Sequence, residues 1–263
     1  MKTFNKIQIA KSFSKAADAY DGAAILQQEV GNNLLDLLHS AKTQPKTIAD
    51  LGSGTGKMTL ELAHLFPKAK VLGIDIAENM VQFARSHFKK TNNLDFICAD
   101  ADCLPFSNNS IDMIISNLML QWSVNLEITL SQWQRILKPN GKLFFSSLGP
   151  NSLHELRTAW KEVDHYPHVN TFIDKTYLIC CLTMLQFKNI QIKTVNHYRF
   201  FKTLRELMQE LKILGTHSLQ HKRKPGLFGK KKFKLLQESY EKFRGNNGKL
   251  AMTYEVYYVS AIL

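Results

Sequence analysis

Only four cysteines occur among the 263 residues, Cys98, Cys103, Cys180 and Cys181, and no two of them form a C-x-x-C pair. That count and spacing exclude a disulfide scaffold and point to reduced thiols. None of the nine histidines belongs to an H-E-x-x-H motif or a Cys/His cluster of ligand spacing, so no metal is expected. No apolar run approaches the roughly 20 residues of a membrane-spanning helix. The basic start, Met1-Lys2-Thr3-Phe4-Asn5-Lys6, leads into polar residues rather than an apolar signal core, and a soluble cytoplasmic protein is expected. Repeats, low-complexity tracts and a clear linker are also missing. With 44% hydrophobic and 21% charged residues, the chain has the composition of one large folded domain with insertions.

Acidic residues are scarce in the second half. Residues 1–149 hold 15 Lys/Arg against 13 Asp/Glu, whereas residues 150–263 hold 19 against 9. The densest cationic stretch, residues 222–234, carries Lys222, Arg223, Lys224, Lys230, Lys231, Lys232 and Lys234 without one acid. Such a run is a solvated loop or a landing surface for an acidic partner, and composition does not choose between these.

Strand and helix patterns alternate along the first part of the chain. Helical spacing in residues 5–40, broken near Asp21-Gly22, predicts two helices before the first strand. Strands are predicted over 47–51, 69–75, 94–100, 111–116 and 142–148, with helices over 58–66, 78–88 and 126–137, the last closed by Pro139-Asn140-Gly141. Residues 152–188 read as mostly helical, 190–200 as a strand, 204–214 and 233–243 as helices, and 250–263 as a final strand. The alternation predicts an α/β fold with a doubly wound, Rossmann-like, mostly parallel sheet. The expected divisions are a helical cap at 1–44, a binding core at 45–150, a strand with helical and basic insertions at 151–249, and the final strand at 250–263.

The turn after the first strand reads Asp50-Leu51-Gly52-Ser53-Gly54-Thr55-Gly56. Glycine allows the chain to turn sharply and lets its backbone approach a ligand. The G-x-G-x-G spacing differs from the dinucleotide fingerprint G-x-G-x-x-G, and an acid before the turn repels a pyrophosphate but suits a cationic ligand. Asp75 ends the next strand, placed for two ribose hydroxyls; Asp100-Ala101-Asp102 and Ser116-Asn117-Leu118 end the following two. All converge on the carboxyl edge, where open α/β sheets bind ligands.

This motif set resembles the class I S-adenosylmethionine-dependent methyltransferases. The resemblance implies a seven-stranded sheet with an antiparallel final strand, and S-adenosyl-L-methionine as cofactor. It implies that Gly52, Gly54 and Gly56 approach the methionine part, with Asp50 near its amino group. Asp75 and Ile76 would serve the ribose, Asp100 and Ala101 the adenine, and Asn117 the sulfonium region.

Further motifs, from Phe13-Ser14-Lys15-Ala16-Ala17 through Asn117-Leu118-Met119-Leu120-Gln121-Trp122 and His197-Tyr198-Arg199 to Thr253-Tyr254-Glu255, resemble the malonyl-[acyl-carrier protein] O-methyltransferases of biotin synthesis. Ser53 departs from the cysteine frequent in those relatives. The resemblance implies methyl transfer to a free malonyl carboxylate, Tyr20, Gln121, Trp122, His197 and Arg199 as pocket residues, and an acidic acyl carrier protein on the basic stretch. Arg157 and Lys161 are further candidates for that surface, while neither nucleic acid nor membrane is an expected partner. The competing readings are an RNA or small-metabolite methyltransferase and a non-catalytic S-adenosylmethionine-binding module. An N-P-P-Y-type base-methylation motif is absent after the fourth strand, and the complete set of acids favours catalysis.

Overall fold

Two short apolar runs, Thr47–Leu51 (β1) and Ile111–Ser116 (β4), form the centre of one seven-stranded sheet and are buried along nearly their whole length. Burial on both faces explains why they read as continuous apolar runs rather than alternating ones. The computed structural model describes residues 24–40, 43–213 and 229–263, together with Lys6, Ala10, Phe13 and Gly22. Of the two helices expected before β1, the second is Ile25–Ser40 (α1); the first falls mostly outside the described residues.

In chain order the core continues with Lys57–Leu65 (α2), Lys70–Asp75 (β2), Glu78–Phe88 (α3), Leu94–Cys98 (β3), then β4, Leu126–Ile136 (α4) and Leu137–Leu148 (β5). Two helices, His154–Lys161 (α5) and Lys175–Met184 (α6), precede Lys188–Phe201 (β6). Leu204–Ile213 (α7), Lys230–Tyr240 (α8) and Leu250–Ile262 (β7) complete it. The strand order is β3-β2-β1-β4-β5-β7-β6, and β7 alone runs antiparallel to its neighbours. The sequence of crossovers reverses between β1 and β4, which leaves a crevice above their carboxyl ends.

One face of the sheet is covered by α1, α2, α5, α7 and α8 through residues such as Leu34, Leu62, Trp160, Leu207 and Tyr240. The other is covered by α4 and α6, whose Trp133, Leu130, Leu178 and Leu182 pack on Phe145 and Val259. Local chemistry places the helix starts: Asn125 accepts from the Ile128 amide, and Asp174 accepts from those of Thr176 and Tyr177. Among the described residues no helix is long and apolar enough to cross a membrane.

Three boundaries differ from the sequence expectation. β5 begins at Leu137, paired with Ile111, and resumes with Lys142 opposite Met113, so Pro139-Asn140-Gly141 bulges from a strand already begun instead of preceding it. A left-handed Asn140 (φ 62°) and the Leu263 carbonyl, which accepts the Asn140 amide, stabilise that bulge. β3 stops at Cys98 because Asp100 turns to meet Cys103, and residues 162–174 interrupt the helical reading between α5 and α6.

β6 and β7 extend beyond the carboxyl end of β5, since Leu148 pairs with Val256 while residues 196–201 still pair with 250–255. Two buried carboxylates secure the extension. Glu155 accepts from the Thr253 amide (3.1 Å) and hydroxyl (2.5 Å), and Glu255 accepts from the Asn151 amide (3.1 Å) and side chain (3.0 Å).

Trp133 has no exposed surface, meets Phe145 edge-on with ring centres 5.7 Å apart, and leaves its Nε1 without a partner among the described residues. Trp133→Ala is expected to lower stability by about 3–5 kcal/mol. Trp133→Phe, which removes the unpaired N–H, should cost less than about 1.5 kcal/mol. Urea denaturation checks both; equal losses in the two variants would contradict the packing described.

Candidate functional site

The turn after β1 hangs from β2. Gly52 and Ser53 donate to the Ile74 carbonyl at 2.7 and 3.0 Å, and Gly54 donates to the Asp75 carboxylate at 2.9 Å. The second Asp75 oxygen accepts from the Ala77 amide at 2.8 Å, so this carboxylate braces the turn. Burial raises the Asp75 pKa, and the Ala77, Gly54 and Ile76 amides oppose that rise.

Gly54 has φ 55°, and a Cβ there would meet nothing within 4 Å, leaving bare backbone facing open space. Gly56 differs. Its Cβ would lie 2.6 Å from the Phe96 ring and 3.0 Å from Ala84, so this glycine serves the approach of α3 and β3 to the turn, not a ligand.

Two cavities meet at Gly52, Gly54 and Asn117. The smaller, about 110 Å³, is bordered by Asp75, Ile76, Asp100, Ala101, Met119 and Trp122, with Lys6 and Phe13 from the start of the chain. The larger, about 540 Å³, is bordered by Gln27 and Gly31 of α1, by Asp50, and by Ser53, Lys57 and Met58.

Asp50 has no exposed surface. Its Oδ2 accepts from the Thr59 hydroxyl at 2.7 Å, while Oδ1 has no partner among the described residues. Burial pushes this carboxyl up to about 7; the Thr59 bond pulls it down and the Asp75 charge pushes it further up. An unpartnered oxygen beside a cavity is a place for a cation or a donor.

Asn117 joins three elements. Its amide donates to the Gln27 carbonyl of α1 at 2.8 Å, and its Oδ1 accepts from Ser146 of β5 at 2.7 Å. Asp100 binds the Lys6 ammonium through both oxygens at 2.8 and 2.6 Å.

The expected acceptor residues are dispersed. Trp122 borders the smaller cavity and meets Phe13 edge-on at 5.4 Å, whereas Gln121 turns its amide back onto the Leu118 carbonyl. His197 is buried between Glu29 of α1 (2.9 Å) and the Tyr258 hydroxyl (2.9 Å), which also accepts from Asn33 at 3.1 Å. Glu29 and Asn33 lie about 200° around α1 from Gln27 and Gly31, so His197 approaches the helix from the side away from the larger cavity. Arg199 donates to Glu210 through Nε (3.3 Å) and Nη2 (2.9 Å). Neither His197 nor Arg199 borders either cavity.

Tyr20, Lys222, Arg223 and Lys224 lie outside the described residues. Lys230 and Lys231 are exposed without an ion-pair partner among them, Lys232 pairs with Asp164 at 2.8 Å, and Lys234 stands 3.8 Å from Glu238. Lys161 is exposed, and Arg157 donates to the Pro150 and Ser152 carbonyls. Sequence reasoning gave no site role to Lys6, Phe13, Gln27 or Thr59, although Phe13 opens one of the motifs that carried the resemblance. Thr59, a hydroxyl in the first turn of the helix that follows Asp50, carried a readable signal.

A methyltransferase domain model matches residues 49–145. The chain is 39% identical to the malonyl-[acyl-carrier protein] O-methyltransferase of Gallionella capsiferriformans, covering 97% of this chain and 89% of that one. Its identity to the Legionella pneumophila protein of the same name is 35%, with the same coverage. This chain belongs to the malonyl-[acyl-carrier protein] O-methyltransferase family. It is also 38% identical to the biotin biosynthesis bifunctional protein BioHC of Cellvibrio japonicus, of which it spans only half, 50%.

Solved structures similar in fold include the YcgJ protein from Bacillus subtilis, with TM-score 0.63 and 17% identity over 88% of this chain and 97% of that one. Another is Haemonchus contortus phosphoethanolamine N-methyltransferase 2, solved with S-adenosyl-L-methionine, with TM-score 0.56, 19% identity, and coverage of 88% and 52%. These likenesses show a shared fold.

The Asp50 carboxyl predicts a pH dependence of stability. Its folded pKa of about 7 lies above its ordinary 3.8, so between these values the folded chain holds a proton that the unfolded chain has lost. This contribution falls as pH rises toward 7 and is flat above. Asp50→Asn keeps an acceptor for Thr59 and removes the charge. Urea denaturation of the ligand-free proteins is expected to show the variant gaining roughly 3 kcal/mol on wild type between about pH 5 and pH 8. Parallel pH profiles would contradict the burial of this charge.

Proposed function

We propose that the protein transfers the sulfonium methyl of S-adenosylmethionine to the free carboxylate of a malonyl thioester on an acyl carrier protein. What carries this reading is similarity at 39% identity along nearly the whole length of a protein of that name. The cavities are compatible with the cofactor. Asp50 offers a buried, unpartnered oxygen for an ammonium group, Gly54 offers backbone without a side chain, and Asp75 offers a carboxylate for ribose hydroxyls. Gly52 and Gly54 would lie along the methionine part, Ile76 beside the ribose, Asp100 and Ala101 at the adenine, and Asn117 near the sulfonium. When bound, the cofactor supplies an electrophilic methyl group.

Malonate's distal carboxyl is ionised near neutral pH, so the acceptor needs no general base. The work left to the protein is alignment and exclusion of water around a weak nucleophile. Trp122, Phe13 and Met119 give the smaller cavity an apolar wall suited to that exclusion. Tyr20 and Gln121 remain candidates for the acceptor pocket. The Arg199 fork, expected for a substrate carboxylate, already holds that of Glu210, and with His197 it ties the β6–β7 extension to α7 and α1.

Esterification replaces a charged acyl end by a neutral one, which apolar chain-elongation channels bury without the desolvation cost of a carboxylate. An acidic carrier protein would be steered by the cations of residues 222–234, of which Lys230 and Lys231 are exposed. A cytoplasmic location fits this role.

The test follows methyl label from S-adenosylmethionine into malonyl carrier protein, acetyl carrier protein and bulk transfer RNA. The expected result is label on the malonyl form alone, lost on mild base hydrolysis. Label in RNA, or binding without transfer to any acceptor, would overturn the reading.

A further inference from the structure

Lys6 stands 94 residues before Asp100, and three contacts join them to Asp102. The ammonium lies 2.8 and 2.6 Å from the Asp100 oxygens and 2.5 Å from one Asp102 oxygen. Its three N–H groups thereby match three carboxylate oxygens. The three side chains are 29%, 33% and 14% exposed, so the pair is only partly screened by solvent. Burial alone would lower the Lys6 pKa, but the Asp100 and Asp102 hydrogen bonds and charges outweigh it, and the group remains cationic.

The aspartates are themselves fixed. The Asp102 amide donates to Asp100 at 2.9 Å, and the other Asp102 oxygen accepts from Thr129 of α4, whose hydroxyl also lies 2.5 Å from Ser123. Two like charges at positions i and i+2 on one cavity wall repel each other, and a single ammonium between them relieves both.

Lys6 is not an isolated contact. Lys6, Ala10 and Phe13 are each helical. Phe13 meets Trp122 edge-on and packs on Ala77 and Met80. Lys6 and Phe13 both border the smaller cavity, one through charge and the other through an apolar ring.

We propose that Lys6 is a positioning residue: its ammonium clasps Asp100 and Asp102 and keeps Lys6 and Phe13 against the adenosine side of the cofactor cavity, so that retention of the adenosine depends on a salt-screened ion pair. The proposal rests on the cofactor reading above. It assigns no bond-making role to Lys6 and predicts an effect on binding of the demethylated product as well as on transfer.

The experiment measures the affinity of the full-length protein for S-adenosylhomocysteine by calorimetry, from about 50 to about 500 mM salt, a range over which the screening length shortens several-fold. Wild type, Lys6→Met and Lys6→Arg are compared. Lys6→Met is expected to bind about tenfold more weakly at low salt and to lose most of the salt dependence. Lys6→Arg should keep the salt dependence and stay within about threefold of wild type, since it preserves the charge. The melting temperature of ligand-free Lys6→Met should fall by no more than a few degrees, while its rise on adding S-adenosylhomocysteine should be smaller than that of wild type. Wild-type affinity and salt dependence in Lys6→Met would overturn the clasp alone. A wild-type protein that does not bind S-adenosylhomocysteine would overturn the cofactor reading and the clasp together.

Discussion

A carboxyl group without solvent access, that of Asp50, sits where β1 leaves the sheet, in register with Gly73 on one side and Ile115 on the other. Among the described residues, folding returns it one hydrogen bond, from Thr59, for its removal from water and leaves one oxygen unpartnered. In the core of a sheet such a group is destabilising, and it is tolerable where a cation completes it. Its neighbours are built around that need. The glycine turn above it is held by Asp75, the Asn117 bridge fixes α1 across from it, and the reversal of strand order between β1 and β4 keeps the space above it open.

The rest of the fold divides by what each part holds in place. The parallel half, with β1 to β4, presents strand ends to the cofactor cavities, and their positions follow from ladder register rather than from loop contacts. The antiparallel extension of β6 and β7 stands beyond that edge, secured by the buried carboxylates of Glu155 and Glu255. Between the two halves, α1 turns Gln27 and Gly31 toward the larger cavity and Glu29 and Asn33 toward His197 and Tyr258. A shift of this helix would therefore be felt at both the larger cavity and the hairpin.

Residues whose placement follows from the end of a strand were legible in the sequence. Asp50, Asp75 and Asn117 each end an apolar run, and such an end points to the carboxyl edge whatever the tertiary detail. Gly56 was not separable from Gly54 by pattern, because facing Phe96 or facing a cavity depends on how α3 packs. His197 and Arg199 are recognisable side chains on a recognisable strand, but the strand does not disclose which side of α1 they meet or that Glu210 reaches Arg199. Lys6 was one lysine in a basic beginning, and only the folded chain brings it to acids that follow it by 94 and 96 positions. The bulge at Pro139-Asn140-Gly141 read as a plain turn for a similar reason: its residue types are those of a turn, and the ladder resumed after it is non-local.

The account depends most on Asp50 as the partner of a cation. Calorimetric titration of S-adenosylhomocysteine near pH 7, in buffers of different ionisation enthalpy, measures this directly. An ammonium group beside a carboxyl with a pKa of about 7 lowers that pKa, so binding should release about half a proton in wild type. No release should accompany binding to Asp50→Asn. Heats independent of buffer in wild type, or equal proton release in the variant, would contradict the assignment of Asp50 to the cofactor's amino group.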